Sequence, residues 1–222
     1  MKSDKKKRLY FYLFDWANSP FSTVIITFIF SSYFVNIVSS SSIEGTSQWG
    51  WMIALSGICI AFLGPLLGII ADYKKKLAKH FILFATCIIC ICSALLWFSK
   101  PNTNFIFFTL TVIFISNTLF ELSQIFYNSQ LNNYRKGLQI GHFSGKAWAM
   151  GYIGGVFCLL LILFLFVLPE QNALGLNKNN YEHIRICGPI VAIWYILFAF
   201  PFLKNYEIYN FKKKNIRIID LK

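Results

Sequence analysis

Six long apolar runs, separated by short polar segments, dominate this chain of 222 residues. A helix rises about 1.5 Å per residue, so about 20 apolar residues are enough to cross the hydrocarbon core of a bilayer. In that core only helices and closed barrels satisfy every backbone N–H and C=O group. The pattern therefore predicts an all-α membrane protein with six transmembrane helices, at residues 9–38, 49–71, 81–98, 105–126, 148–168 and 187–203.

The composition agrees with lipid as the solvent. Hydrophobic residues make up 56% of the chain and charged residues only 14%, and the mean hydropathy is +0.56. A soluble fold would need more charge than this to cover a core containing 24 Phe residues. We expect one bundle over residues 1–203, followed at 204–222 by a basic cytoplasmic tail or truncated central linker.

The net charge of +12 is distributed in a pattern typical of membrane proteins. Of the 21 Lys and Arg residues, all but Lys100, Lys178 and Arg185 lie at the termini or in the loops after the second and fourth runs. Positive charge accumulates on the cytoplasmic side. Both termini are therefore predicted to be cytoplasmic, with the lipid bilayer rather than nucleic acid as the partner.

The sequence predicts no cofactor, no metal site and no enzyme active site. The six cysteines lie inside or at the edge of apolar runs, and the cluster of Cys87, Cys90 and Cys92 is best interpreted as packing. The three histidines lie in different loops, and no Ser-His-Asp set or Gly-rich phosphate loop is present.

Polar residues inside the first and fourth runs are the first candidates for a functional site. Asp15 and Asn18 lie three residues apart, and Asn117, Glu121 and Gln124 follow at intervals of four and three. Each set occupies one face of its helix. A polar face in lipid must turn toward a solute or proton pathway or toward other helices, where it forms interhelical hydrogen bonds. Both interpretations stay open.

Small residues form two stripes that favour close helix packing. In the second run, small residues follow one another at intervals of four, three and four. In the fifth run, two glycines lie four residues apart. These residues are Gly57, Ala61, Gly64 and Gly68 in the second run, and Gly151 and Gly155 in the fifth.

The second run ends in an acidic residue followed by a basic cluster. Asp72 precedes Lys74, Lys75 and Lys76. A carboxylate at this boundary can pair with the lysines or with a neighbouring helix N-terminus and so act as a cytoplasmic gate. The alternative is an ordinary solvated charge at the interface.

Three stretches resemble the major facilitator superfamily. Residues 64–76 (GPLLGIIADYKKK) resemble its Gly-x-x-x-Asp plus basic signature, although Tyr73 stands where Arg is usual. Residues 15–21 (DWANSPF), together with Tyr127, Asn128 and residues 144–155 (SGKAWAMGYIGG), resemble the branch of the autophagy-related vacuolar amino-acid effluxers and their bacterial relatives.

The resemblance implies a secondary transporter that moves a small solute, with amino acids expected, by alternating access in the inner membrane. It also implies that this chain supplies only the N-terminal six of about twelve helices. Three explanations remain open: a gene fragment, a split transporter whose second half is another six-helix chain, or a homodimer. A different class of function is a membrane scaffold or accessory subunit that transports nothing.

Overall fold

A computed structural model describes residues 2–73, 75–134 and 139–205. It contains six helices that are long and apolar enough to cross a membrane, and no strand occurs within those ranges. The prediction of an all-α fold with six long helices is confirmed. The helices are α1 (Lys5–Val38), α2 (Ser42–Ala71), α3 (Leu77–Phe98), α4 (Thr103–Asn128), α5 (Gln139–Val167) and α6 (Glu182–Lys204).

Two helices begin well before the predicted residues. Helix α2 begins at Ser42 rather than at residue 49, and α5 begins at Gln139 rather than at residue 148. A prediction from apolar runs misses the first turns of these two helices because their residues are largely polar. At α2 a local signal does exist, because Ser41 accepts a hydrogen bond from the N–H of Glu44 at 3.3 Å. A Ser followed three residues later by Glu is the capping pattern that starts a helix.

Helix α1 is irregular around Pro20. The regular helix, which begins at Lys2 just before the apolar span, changes after Pro20 to π-helix over Phe21–Phe28, and a second π-helical segment covers Phe34–Val38. Proline has no N–H, so the carbonyl of Trp16 loses its helical donor. The indole of Trp194 in α6 donates to that carbonyl at 3.1 Å. Pro20 thus gives the first π-helical segment a local cause, and α6 compensates for the lost hydrogen bond.

Aromatic rings join α1 to α4 and α6 at one end of the bundle. The ring of Phe11 stacks on Tyr127 of α4 with centroids 4.2 Å apart, and Phe14 lies 4.7 Å from Phe202 of α6. The hydroxyl of Tyr127 donates to the carbonyl of Phe11 at 2.9 Å. Rings of this size bury large apolar areas and fix the helices relative to one another.

A polar cluster joins the helices at the opposite end. The buried Arg185 of α6 donates to the carbonyls of Trp97 and Asn180, and its guanidinium lies 5.1 Å from the centre of the Trp97 ring. The hydroxyl of Tyr33 in α1 donates to the carbonyl of Ser99 at 2.8 Å. The bonds to Trp97 and Ser99 use backbone carbonyls that the end of α3 would otherwise leave unpaired.

Helix α2 lies at the edge of the bundle. Only 6% of the most apolar 18-residue stretch of α2 is buried within the protein. Gly64 and Gly68 face the side chain of Ile125 in α4, whereas Gly57 and Ala61 are exposed and no helix in the described part of the chain covers them. A packing role for Gly57 and Ala61 therefore stays a prediction.

Glycines of α5 allow it to lie directly against α1. An added Cβ would lie 2.6 Å from the Oγ of Ser19 at Gly151, 2.8 Å from the carbonyl oxygen of Trp16 at Gly154, and 2.5 Å from the Oγ1 of Thr23 at Gly155. At Gly154 the obstacle is backbone, which cannot turn aside. This contact sets the distance between α1 and α5.

We expect Gly154→Ala to destabilise the bundle by about 1–3 kcal/mol, because overpacking forces α1 and α5 apart. Gly145→Ala is the matched control in the same helix, since nothing lies within 4 Å of its added Cβ. Thermal unfolding in one detergent measures both. A Gly154 variant as stable as the Gly145 variant would contradict this packing.

Candidate functional site

A cavity of about 340 Å³ lies between α1, α4 and α5. This volume falls within the range of small-molecule sites. Twelve residues line it: Asp15, Asn18, Ser19, Ser22 and Thr23 from α1; Phe120, Glu121, Gln124 and Asn128 from α4; and Trp148, Gly151 and Tyr152 from α5. The structure thus brings together four of the five predicted pathway residues.

The α1 wall carries two buried polar side chains. Asp15 is 8% exposed and Asn18 is 3% exposed. The carboxyl group of Asp15 lies within hydrogen-bonding range of the side chains of Asn18 and Tyr127. A buried polar atom without a partner costs about 1–3 kcal/mol. Asp15 and Asn18 therefore stabilise each other in the wall of the cavity.

The α4 wall adds a carboxylate and two amides. Glu121, Gln124 and Asn128 follow one another at intervals of three and four, so one face of α4 presents all three. Glu121 and Asn128 are exposed, and Gln124 is half-buried. Phe120 lies beside them, with its ring centroid 5.1 Å from that of Phe21 in α1.

The α5 wall contributes aromatic rings at the mouth of the cavity. Trp148 is 59% exposed and Tyr152 is 66% exposed, and their ring centroids lie 6.1 Å apart. Gly151 stands between them along the chain and lies against Asp15 and Ser19. The absent side chain at Gly151 leaves the cavity open beside Asp15.

The remaining pathway candidate, Asn117, takes part in a different interaction. Its Nδ2 donates to the Oγ of Ser56 in α2 at 2.9 Å, and that oxygen also lies 2.9 Å from the Oγ1 of Thr118. Asn117 shares a helix face with Glu121, but it lies one turn farther along α4, where α2 approaches. It is not among the residues that line the cavity.

The predicted gate is only partly described. Lys74 lies outside the described residues, as do the side chains of Asp72, Lys75 and Lys76. Of this motif, the structure describes Gly64 and Gly68, which face α4.

Seven other lining residues were not among the predicted pathway or packing residues: Ser19, Ser22, Thr23, Phe120, Asn128, Trp148 and Tyr152. Ser19 and Thr23 extend the Asp15 face by successive intervals of four, a signal that was present in the sequence. Trp148 and Tyr152 lie four residues apart and so share a face of α5. Because large aromatic residues are also typical of the lipid interface, the sequence alone did not indicate that these two line a cavity.

A comparison with curated proteins supports a transporter fold. The chain is 25% identical over 222 residues to a protein described as an uncharacterized MFS-type transporter, YxiO, of Bacillus subtilis (strain 168). The alignment covers 99% of this chain and 51% of that protein, so the chain spans about half the length of the curated relative it matches. No family model matches the chain, and no solved structure matches it.

The similarity to this relative and the six apolar helices both point to an integral membrane protein. The description of that relative carries the abbreviation of the major facilitator superfamily, which is the family that the sequence motifs resemble. The fold is that of an all-α, six-helix half, and the chain is an integral, multi-pass membrane protein.

We expect Asn117→Ala to lower stability by about 0.6–1.7 kcal/mol, because it breaks the side-chain hydrogen bond between α4 and α2. Gln124→Ala is the control, because Gln124 lies on the same helix but faces the cavity. Thermal unfolding should show a lower midpoint for the Asn117 variant alone. Equal losses in both variants would argue against this assignment of Asn117.

Proposed function

We propose that the chain is the N-terminal six-helix half of a secondary active transporter, and that the cavity between α1, α4 and α5 forms part of its solute pathway. The observation that carries the proposal is the polar lining of a cavity within membrane-spanning helices, to which Asp15, Asn18 and Glu121 contribute. Alternating access of this cavity to the two sides of the membrane would move the solute.

The free-energy cost of placing polar side chains within a membrane favours this function. Ionisable groups inside a bilayer are expensive and usually mark a substrate or ion pathway. Here two carboxylates and three amides line one cavity: Asp15, Glu121, Asn18, Gln124 and Asn128. A chain that needed only stability would gain by replacing these polar groups with apolar ones.

The finer assignments rest on the sequence. The resemblance of residues 15–21 and 144–155 to the vacuolar effluxer branch supports amino acids or similar small metabolites as solutes. The distribution of Lys and Arg supports cytoplasmic termini in a cell or inner membrane. The similarity to a transporter also favours a role other than that of an enzyme.

The exposed surface of α2 supports a second six-helix unit as partner. Gly57 and Ala61 lie on a surface that stays open in the described part of the chain, and small residues permit close helix contact. A separate chain or a second copy of this one could supply the other half of the pathway. Asp72 and Lys74 to Lys76 remain the proposed gate toward that partner.

A second candidate function is a scaffold or accessory subunit without transport activity. The hydrogen bonds among Ser56, Asn117 and Thr118 favour it, because they show polar residues of α4 joining helices rather than lining a pathway. Solute flux distinguishes the two functions.

Flux is best measured in membrane vesicles from the host cell with the gene intact or deleted, which keeps any partner chain present. We expect gene-dependent flux of radiolabelled amino acids, driven by a pH gradient. Glu121→Gln should abolish the dependence on the gradient, because Glu121 is the exposed carboxylate of the cavity. Glu170→Gln, at an exposed carboxylate outside the cavity, is the matched control.

The same flux with the gene intact and deleted would favour the scaffold. If flux in the Glu121 variant still depends on the pH gradient, Glu121 is not the coupling residue. The proposal that the protein transports a solute would not be affected by that result.

A further inference from the structure

A second cavity, here called the basic pocket, lies between the first residues of α1 and those of α5. It has a volume of about 290 Å³, and six residues line it: Arg8, Tyr12, Gln139, His142, Phe143 and Lys146. We propose that the basic pocket binds the phosphate group of an anionic lipid such as phosphatidylglycerol. This inference goes beyond the proposed function and does not rest on it.

The side chains of the basic pocket suit a phosphate diester. Lys146 offers an ammonium group, and Arg8 offers a guanidinium whose several N–H donors allow more than one partner at a time. The exposed His142 and Gln139 add hydrogen-bond donors. The described lining contains no Asp or Glu. A phosphate there would meet charge-assisted hydrogen bonds without repulsion from a like charge.

Two helices build the basic pocket, which is more than a run of charge on one surface. Phe143 of α5 is buried, and its ring centroid lies 4.9 Å from that of Tyr12 and 5.1 Å from that of Phe11. These ring contacts hold α1 against α5. Arg8 lies one turn before Tyr12 on α1, so the same contacts place its guanidinium beside the α5 side of the pocket.

The basic pocket and the solute cavity use different faces of α5. A helix turns by about 100° per residue, so the α5 residues of the basic pocket point, on average, nearly opposite to those of the solute cavity. Lys146 belongs to the first face, and Trp148 and Tyr152 belong to the second. A ligand in the basic pocket is therefore distinct from a solute in the pathway.

An exposed apolar stripe favours a lipid over a soluble phosphate. Ile153 and Phe157 follow Lys146 on the same face of α5 at intervals of seven and four, and both are exposed. They lie about 10 and 16 Å from Lys146 along the helix, within one leaflet of a hydrocarbon core about 30 Å thick. An acyl chain along this stripe would bring its phosphate to Lys146.

The depth of the basic pocket in the membrane agrees with a headgroup. Arg8 directly precedes the apolar run of α1, and Lys146 lies two residues before Trp148, where the apolar run of α5 begins. Lipid phosphates lie at this boundary, and basic pockets between transmembrane helices on the cytoplasmic side bind anionic headgroups. The positive-inside pattern assigns this end of the bundle to the cytoplasm.

Three probes separate the lipid from its phosphate group. Native mass spectrometry of the full chain in detergent micelles counts bound lipids one at a time. The probes are dioleoyl phosphatidylglycerol, dioleoyl phosphatidylcholine, whose choline cancels the phosphate charge, and glycerol 3-phosphate, which has no acyl chains. We expect the first phosphatidylglycerol to bind about fivefold more tightly than phosphatidylcholine, and an equal concentration of glycerol 3-phosphate not to displace it.

Variants test the position of the site. Lys146→Gln should lower the affinity for the first phosphatidylglycerol about fivefold, the effect of one basic residue near an anionic lipid. His142→Ala should lower it by a smaller factor. Lys204→Gln is the matched control, because it removes the same charge at the same end of the bundle from an exposed residue outside the pocket, and it should leave the affinity unchanged.

Three results would overturn the inference. They are phosphatidylcholine binding as tightly as phosphatidylglycerol, displacement of the lipid by an equal concentration of glycerol 3-phosphate, and a folded Lys146→Gln chain with the same lipid affinity as the Lys204→Gln chain. Thermal unfolding verifies that each variant is folded. If Lys146→Gln does not fold, His142→Ala and the three probes on the unaltered chain still decide.

Discussion

The structure depends on the fact that hydrocarbon offers no hydrogen bonds. Every polar group in the membrane must find its partner within the protein or in a hydrated cavity. Pro20 illustrates the first solution, since the carbonyl of Trp16 that it leaves without a donor is bonded by Trp194 from α6. Asn117 illustrates the same solution for a side chain, through Ser56 of α2. Asp15 and Asn18 illustrate the second, because both residues line a cavity.

Helix α1 connects packing to the proposed function. Its apolar side chains stack against α4 and α6, whereas its polar side chains meet the glycines of α5. Because Gly151 and Gly155 have no side chains, α5 approaches α1 closely without filling the space beside Asp15. The glycines therefore do more than permit close packing. Gly151 also lines the cavity beside Asp15.

Hydropathy predicts the six helices because the hydrocarbon core requires about 20 apolar residues for each crossing. It does not predict the polar turns that begin α2 and α5, since helices continue past the lipid as long as capping residues such as Ser41 allow. Helical spacing predicts that Asp15, Asn18, Glu121 and Gln124 occupy polar faces, and the structure brings these faces together. Spacing does not reveal that α2 reaches Asn117, because the position of a neighbouring helix depends on tertiary packing.

The central claim is that the polar face of α4 lines a water-filled cavity, and cysteine labelling tests it most directly. Gln124→Cys and Ile115→Cys lie nine residues apart, on opposite faces of α4, and Ile115 is 40% exposed on the apolar side. Each cysteine would be introduced into a chain whose six native cysteines are replaced. Unsealed membrane fragments containing the variant would then be treated with a membrane-impermeant thiol reagent. Rapid labelling at position 124 with none at position 115 is the predicted result. Protection of both positions would mean that the polar face is dry and would contradict the account.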